Sequence, residues 1–270
     1  MTTPDAEVLY HVADHIATIT LNRPDRMNTI SRAMLGQLTE HLLAADADKD
    51  VRVVILTGTG RAFCAGLDLT EATRAPEPGK EGISNSTNIA TNLDLRNTPP
   101  TVLFNMGKPT ICALNGSAAG YGMDTALGCD IRIMAAGAKM AAAFTKRGIV
   151  PESGGTWFLP RLIGWSKAAE LIFTGRTLSA EECVEWGLAS RVVPTNELAS
   201  VAHEMAAQIA ANAPLAVQAS KRMMRMGLSE TFNDHVHHVF LQLLPLMRSE
   251  DAREGMLSFM EKREAVFKGR

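Results

Sequence analysis

Two stretches of small residues, Arg61-Ala62-Phe63-Cys64-Ala65-Gly66-Leu67-Asp68-Leu69 and Asn115-Gly116-Ser117-Ala118-Ala119-Gly120-Tyr121-Gly122, carry the clearest chemical signal in the sequence. Each follows an apolar run that reads as a strand, residues 51–57 and Thr110–Leu114. Glycine and alanine let a ligand approach the main chain. Two such loops can therefore aim two backbone N–H groups at one oxygen, the arrangement that stabilises an enolate or a tetrahedral oxyanion. The second stretch runs into a helix candidate over residues 120–127. Its first amides lack intrahelical partners and sit at the positive end of the helix dipole. A lone glycine-rich loop is more often a plain turn; two of them, each after a buried strand, favour a site. Neither fits the spacing of a dinucleotide or P-loop phosphate cradle, so those readings fail.

An oxyanion site needs a group that moves protons. Asp124 lies one turn into the helix candidate, where a short carboxylate also serves helix N-terminal hydrogen bonds. Glu152 lies in Gly148-Ile149-Val150-Pro151-Glu152-Ser153-Gly154-Gly155-Thr156. Its bland role is to cap the next turn or pair with Arg161. With Phe144 and Trp157 nearby in sequence, a partly desolvated site is expected, which favours action as a base. Asp234, His235, His237 and His238 have helical spacing, but a solvated or subunit-facing patch is commoner than a metal centre and no second ligand cluster supports metal. No histidine lies between His41 and His203, and no G-x-S-x-G occurs, which speaks against a Ser–His–Asp hydrolase. Ser153 then reads as a turn residue, and Cys64, with no histidine beside it, as packing.

The elements that must position these groups alternate early and turn helical late. Residues 7–10 and Ile16–Leu21 read as an antiparallel pair turned near Ala13-Asp14. Ser31 reads as the N-cap of a helix to about Ala45, with Met34, Leu35, Leu38, Leu42 and Leu43 on one stripe. Residues 51–57 are β-branched and suit a strand buried on both faces. Residues 74–92 are rich in Pro, Gly, Ser and Asn, lack a clear period and read as a mobile loop or a poorly ordered helix start near the site. Ile131–Ala135 reads as a further strand. From Ser166 onward the reading is almost wholly helical, with a capping box at Ser179-Ala180-Glu181-Glu182 and helices over 196–211, 215–226, 230–246 and 251–267. No internal sequence repeat and no interdomain linker is visible.

Composition narrows the class. The 270 residues are 46% apolar and 21% charged, enough for a sizeable core. A net charge of −2 gives no reason to expect nucleic acid or an anionic membrane as partner. No apolar run is long enough to span a bilayer, and residues 1–7 lack a basic flank and apolar core, so a cytoplasmic protein is expected. Cys64, Cys112, Cys129 and Cys183 are scattered and read as reduced packing residues.

Several motifs occur in order: Asn22-Arg23-Pro24 with Met27-Asn28, the 62–69 stretch, the 115–122 stretch, residues 148–156, Thr174-Gly175, Gly187-Leu188-Ala189, and Glu254-Gly255-Met256 with Glu261-Lys262-Arg263. On these the chain resembles the enoyl-CoA hydratase/isomerase (crotonase) superfamily from about Val8 to Arg270. The resemblance implies an α/β fold: a crotonase-like spiral of ββα units over residues 1–195, and a helical C-terminal trimerisation region over 196–270. It implies an acyl-CoA thioester as substrate, no separate cofactor, and a homotrimer or dimer of trimers. The exposed-looking apolar stripes of the late helices, including Val236, Val239, Phe240, Leu243 and Leu244, agree with subunit contacts.

By the same resemblance, the thioester oxygen is held by the amides of Ala65 and Tyr121, where Tyr121 replaces a glycine common in relatives. Arg26, Met27, Ala62, Gly66, Leu67, Asp68 and Gly120 would line the CoA groove, with Phe259 and Lys262 reaching in from the C-terminal helix. Phe144 and Trp157 would border the acyl pocket. Hydratases of the family use two glutamates. The corresponding positions here are Asp124 and Phe144, so the two-glutamate pattern is broken. Glu152 matches the position of the single base in double-bond isomerases. The leading expectation is a double-bond shift through a thioester enolate with Glu152 as base. The rivals are hydration of 2-enoyl-CoA with Asp124 assisting, a catalytically weak acyl-CoA-binding protein, and, ranked lower, a thioester hydrolase.

Overall fold

The computed structural model describes residues 6–68, 70 and 97–270, and the loop expected over 74–92 lies outside them. Strands β1 (Val8–Ala13) and β2 (Ile16–Leu21) form the expected antiparallel pair. β1 runs past Tyr10 to Ala13, because the turn is the two-residue loop Asp14-His15, both in left-handed backbone. β3 (Val53–Gly58), β5 (Thr110–Leu114), β7 (Ile131–Ala135) and β10 (Arg191–Val193) extend β2 in parallel, giving the order β1-β2-β3-β5-β7-β10.

A second sheet runs beside the first. Short strands β4 (Ala62–Cys64), β6 (Ser117–Ala119), β8 (Lys139–Ala141) and β9 (Thr177–Ser179) pair in that order. β3 leads to β4, β5 to β6 and β7 to β8, so each long strand of the first sheet hands the chain to a short strand of the second. Helices α2 (Pro99–Asn105), α3 (Tyr121–Gly128) and α4 (Gly155–Ile163) follow these three pairs. The ββα unit therefore repeats in the backbone although no repeat is visible in the sequence. Strands of three residues are too short to show a period of two.

The alternation of β3 decides the core. Val54 and Leu56 face one buried cluster with Leu38, Leu42 and Met123, while Val53 and Ile55 face another with Ile111 and Ile133. The strand is buried on both faces, as its β-branched run requires. Helix α1 (Arg32–Ala47) closes the first cluster, and Ser31 Oγ accepts the Met34 amide at 2.9 Å as its N-cap. Its buried stripe is Met34, Leu38, Leu42 and Ala45. Leu43, expected on that stripe, points outward, since one residue turns the helix by about 100°.

The segment after Ser166 departs from an all-helical reading. Helices α5 (Trp165–Thr174) and α6 (Ala180–Trp186) are interrupted by β9 and followed by β10. α6 starts with the expected capping box, Ser179 and Glu182 satisfying each other's backbone amides. α7 (Leu198–Ala210) buries Leu198, Ala202, Ala206 and Ala210 against the second cluster, so the boundary expected at residue 195 falls before a helix that packs onto the sheet. α8 (Pro214–Met226), α9 (Phe232–Leu246) and α10 (Glu250–Glu261) complete the chain. α10 stops at Lys262 rather than near Phe267. Beyond it the tail folds back, with the amides of Lys268 and Gly269 donating to the Asp251 carboxylate at 2.7 and 2.8 Å. No residue of α9 is buried within the chain.

Candidate active site

The two small-residue stretches are strands held against each other. β4 and β6 pair in parallel, Ala62 opposite Ser117 and Cys64 opposite Ala118. The approach is too close for a side chain at two glycines. A Cβ on Gly116 would lie 2.2 Å from the Arg61 carbonyl oxygen, and one on Gly122 would lie 2.3 Å from that of Cys64. Gly122→Ala is therefore expected to lose at least about 1–3 kcal/mol of stability, measured as a lower urea midpoint. An unchanged midpoint would show that α3 (Tyr121–Gly128) and β4 can part without cost.

Two asparagines from the quoted motifs, given no role from sequence, clamp this junction. Asn28 Nδ2 donates to the carbonyls of Thr59 and Ala62 at 2.9 and 2.8 Å, and its Oδ1 accepts the Arg23 amide at 2.7 Å. Asn115 Nδ2 donates to Gly60 and Ala62, and its Oδ1 accepts the Gly58 amide at 3.0 Å. Both side chains thus meet on the Ala62 carbonyl. Met27 and Asn28 are both left-handed, a conformation that asparagine tolerates and methionine adopts only at a cost. That turn brings the Met27 carbonyl onto the Ala65 amide at 3.1 Å. The Ala65 amide, expected to point freely at a ligand, is therefore already engaged. Tyr121 opens α3, where a first-turn amide has no acceptor within its own helix.

An open cleft of about 460 Å³ lies over the junction, lined by Ala65, Gly66, Leu67, Ala119, Gly120, Ala143, Phe144, Arg147, Ile149 and Glu152. It unites Ala65, Gly66, Leu67, Gly120, Phe144 and Glu152 as the sequence reading expected. It adds Ala119, Ala143, Ile149 and the cation Arg147. The signal for Arg147 was its place just before the Gly148 turn, in a basic pair with Lys146. Gly148 itself is left-handed and turns the chain from Arg147 toward Glu152.

Glu152 lies on the wall of this cleft and is exposed rather than partly desolvated as expected, and the preceding Ile149 and Val150 are exposed with it. Ser153 Oγ donates to its Oε1 at 3.2 Å. Arg161 does not pair with it. That guanidinium sits 4.1 Å over the Trp157 ring and donates to the Trp157 carbonyl. Trp157 in turn packs edge-on against Phe104 and Phe158 and is not part of the cleft lining, so its expected place at the acyl pocket is not where it sits.

Asp124 is fully buried beside the cleft rather than in its wall. Its Oδ2 accepts the Gly155 amide at 3.2 Å, and its Oδ1 has no hydrogen-bond partner. Burial pushes its carboxyl up to about 7; the Gly155 amide opposes that rise and the nearby Glu152 charge adds to it. Tyr121 is buried too, and burial raises its phenol well above the ordinary range, with Glu152 contributing. Burial likewise pushes the Cys64 thiol up to about 12, which removes it as a nucleophile.

The remaining expected residues separate from the cleft. Asp68 is committed within the fold: its Oδ2 accepts Arg23 Nη1 at 3.0 Å and its Oδ1 accepts the Thr70 hydroxyl at 2.6 Å. The Thr70 hydroxyl and Arg23 together hold its carboxyl below the usual carboxylate range. Ala62 is buried within β4, whereas Arg26 and Met27 are exposed around the 3₁₀ turn Pro24–Arg26. Phe259 and Lys262 are exposed on α10 and do not line the cleft of their own chain. The histidine patch is a hydrogen-bonded cluster: the two oxygens of Glu230 meet Nδ1 of His235 and of His238, each at 3.0 Å. Among the described residues no group of His, Cys, Asp or Glu could hold a metal ion.

Comparison with known proteins matches this architecture. Residues 11–270 match the family model described as enoyl-CoA hydratase/isomerase. The chain is 37% identical over 263 residues to the 1,2-epoxyphenylacetyl-CoA isomerase of Escherichia coli (strain K12), covering 97% of this chain and 98% of that one. It is 36% identical over 264 residues to the (E)-benzylidenesuccinyl-CoA hydratase of Thauera aromatica, covering 97% and 99%. Among solved structures, an enoyl-CoA hydratase from Bacillus anthracis superposes with a TM-score of 0.89 at 35% identity, over 98% of this chain and all of that one.

Proposed function

The chain belongs to the enoyl-CoA hydratase/isomerase family, whose members act on CoA thioesters, and from that premise we propose that it shifts a double bond of an enoyl-CoA through a thioester enolate with Glu152 as the single base. Isomerase and hydratase relatives are matched at nearly equal identity, so the choice rests on the site. The carrying observation is that Glu152 is a carboxylate in the cleft wall, where Phe144 presents no group that can move a proton. Glu152 takes the proton α to the thioester carbonyl, the C–H electron pair becomes the enolate, and the same carboxyl returns the proton at the γ-carbon. The Tyr121 amide and the α3 dipole receive the enolate oxygen. The Ala65 amide joins them by sharing its hydrogen with, or releasing it from, the Met27 carbonyl.

Hydration of a 2-enoyl-CoA is the second reading, favoured by the carboxyl of Asp124, poised to gain or lose a proton near neutral pH. Purified protein should convert a 3-enoyl-CoA to its 2-enoyl isomer faster than it hydrates crotonyl-CoA, followed by absorbance and by chromatography of the products. Rapid hydration with no isomerisation would sink the isomerase reading.

The thioester needs no separate cofactor in this scheme. Leu67 of the cleft lining, and Arg26 and Met27, exposed on the turn before Asn28, are suited to the CoA moiety. Phe259 and Lys262 fit such a groove when supplied by a neighbouring subunit. The outward Phe240, Leu241 and Leu244 of α9 support a homotrimer or dimer of trimers. Four buried free cysteines suit a reducing, cytoplasmic setting, and no helix among the described residues is long and apolar enough to cross a membrane.

A further inference from the structure

The described lining of the cleft holds a cation, Arg147, beside the carboxylate of Glu152. Arg147 ends the 3₁₀ turn Thr145–Arg147, and backbone contacts set its place. Its amide donates to the Phe144 carbonyl at 2.8 Å, and the Thr145 hydroxyl anchors the turn to the Ile172 carbonyl at 2.8 Å. The two basic residues of that turn separate. Lys146 lies over Gly175, where an added Cβ would meet its Cγ at 3.0 Å, whereas Arg147 lines the cleft. The Arg147 side chain makes one hydrogen bond, from Nη1 to the Ala143 carbonyl at 2.8 Å, and among the described residues no carboxylate pairs with it. Glu152, on the same lining, receives the Ser153 hydroxyl instead.

A guanidinium presents its N–H donors in a flat fork that matches the two oxygens of a carboxylate. Nη1 is engaged here, which leaves Nε and Nη2 for a ligand. Apart from Glu152, the rest of the lining is Ala, Gly, Leu, Phe and Ile, none of which offers a side-chain acceptor. An acyl-CoA can bring two kinds of anion, the phosphates of CoA or a carboxylate carried by the acyl group. The position of Arg147 favours the second. It shares the segment from Ala143 to Glu152 with the proposed base, and that base must face the α- and γ-carbons of the acyl chain. The residues suited to CoA, Arg26, Met27 and Leu67, come from another part of the sequence. The cleft, about 460 Å³, has room for a chain of several carbons beyond the thioester.

We propose that Arg147 recognises a carboxylate at the far end of the acyl group, so that the preferred substrates are CoA thioesters of dicarboxylic acids. This rests on the acyl-CoA reading above and makes Arg147 a specificity-determining residue, with proton transfer left to Glu152. The thioester oxygen at the Tyr121 amide and the carboxylate at Arg147 fix the acyl group at both ends. The chain between them is then held against the wall that carries Glu152.

The test is calorimetric titration of the full chain with adipyl-CoA, hexanoyl-CoA and free CoA. The two thioesters are saturated and differ only in ending on a carboxylate or a methyl group. The expected result is about fivefold or tighter binding of adipyl-CoA over hexanoyl-CoA at low salt, a ratio that shrinks as salt is added. Arg147→Met, similar in length and uncharged, should bring the ratio to one or below and leave the affinity for free CoA within about twofold of wild type. Equal or weaker binding of adipyl-CoA by the wild-type protein overturns the proposal without recourse to any variant. A ratio that survives Arg147→Met overturns the role of the guanidinium. An equal loss for both thioesters and for free CoA in that variant also overturns it, and assigns Arg147 to the CoA phosphates. Binding of neither thioester overturns the acyl-CoA reading itself, which separates that failure from failure of the carboxylate contact alone.

Discussion

Replacing Glu152 with Gln is expected to lower turnover of the acyl-CoA substrate by about 10²- to 10⁴-fold, the range for loss of a general base. The amide keeps the volume and removes the ability to take a proton. Because Glu152 is exposed at the cleft wall, the fold has little stake in its charge, so the loss should appear in kcat far more than in stability. The same variant reports on the step itself. Wild-type protein in deuterated buffer should exchange the α-protons of a bound saturated acyl-CoA, followed by NMR, and Glu152→Gln should not. Near-normal turnover or exchange in the variant would exclude Glu152 as the proton carrier and return that role to Asp124.

Asp124→Asn is expected to reshape stability against pH. In the folded chain burial lifts this carboxyl from 3.8 to about 7. Between those values the folded state holds a proton that the unfolded state has released. Stability therefore falls as pH rises through that window. The contribution is fully present below the unfolded value near 3.8 and fully lost above about 7. A shift of this size corresponds to about 4 kcal/mol between the two limits. Asparagine keeps the volume, can still accept the Gly155 amide and does not titrate. Urea midpoints from pH 4 to 8 should therefore decline for wild type and stay nearly level for the variant, which becomes the more stable protein at pH 8. Parallel curves would mean that Asp124 is ionised in the fold across the whole range.

The two carboxylates show how far sequence reading reaches. Both were legible as candidates, Glu152 from the glycine-rich turn around it and Asp124 from its place one turn into a helix. Their environments were not. Glu152 was expected to be partly desolvated and lies open on the cleft wall. Asp124, whose expected alternative was a helix-end role, is the buried one, because Gly155 brings its backbone up against it from α4. A Cβ on Gly155 would lie 2.5 Å from Asp124 Oδ1, and no local pattern announces a contact between residues that far apart in the chain.

Asp68 and Ala65 carry the same lesson. A position in a motif assigned Asp68 to a ligand groove, but Arg23 and Thr70 take both its oxygens. Ala65 was assigned a free amide, but a left-handed turn at Met27 delivers a carbonyl to it. Arg23 and Met27 reach these residues from distant parts of the chain, and only Thr70 is a local partner.

By itself the sequence determined the elements with a strong local code: the β-branched run of β3, the Ser31 cap, the Ser179 capping box, and two stretches whose small residues allow backbone to meet backbone. These features depend on periodicity and steric size within a few residues, which a linear chain displays directly. Only the tertiary structure decided that the two stretches are paired strands of a second sheet, which carboxylate is buried, and which polar atoms are left without partners. Burial and hydrogen-bond satisfaction are properties of residues brought together from distant parts of the chain, so they exist only once the sheets and helices have packed.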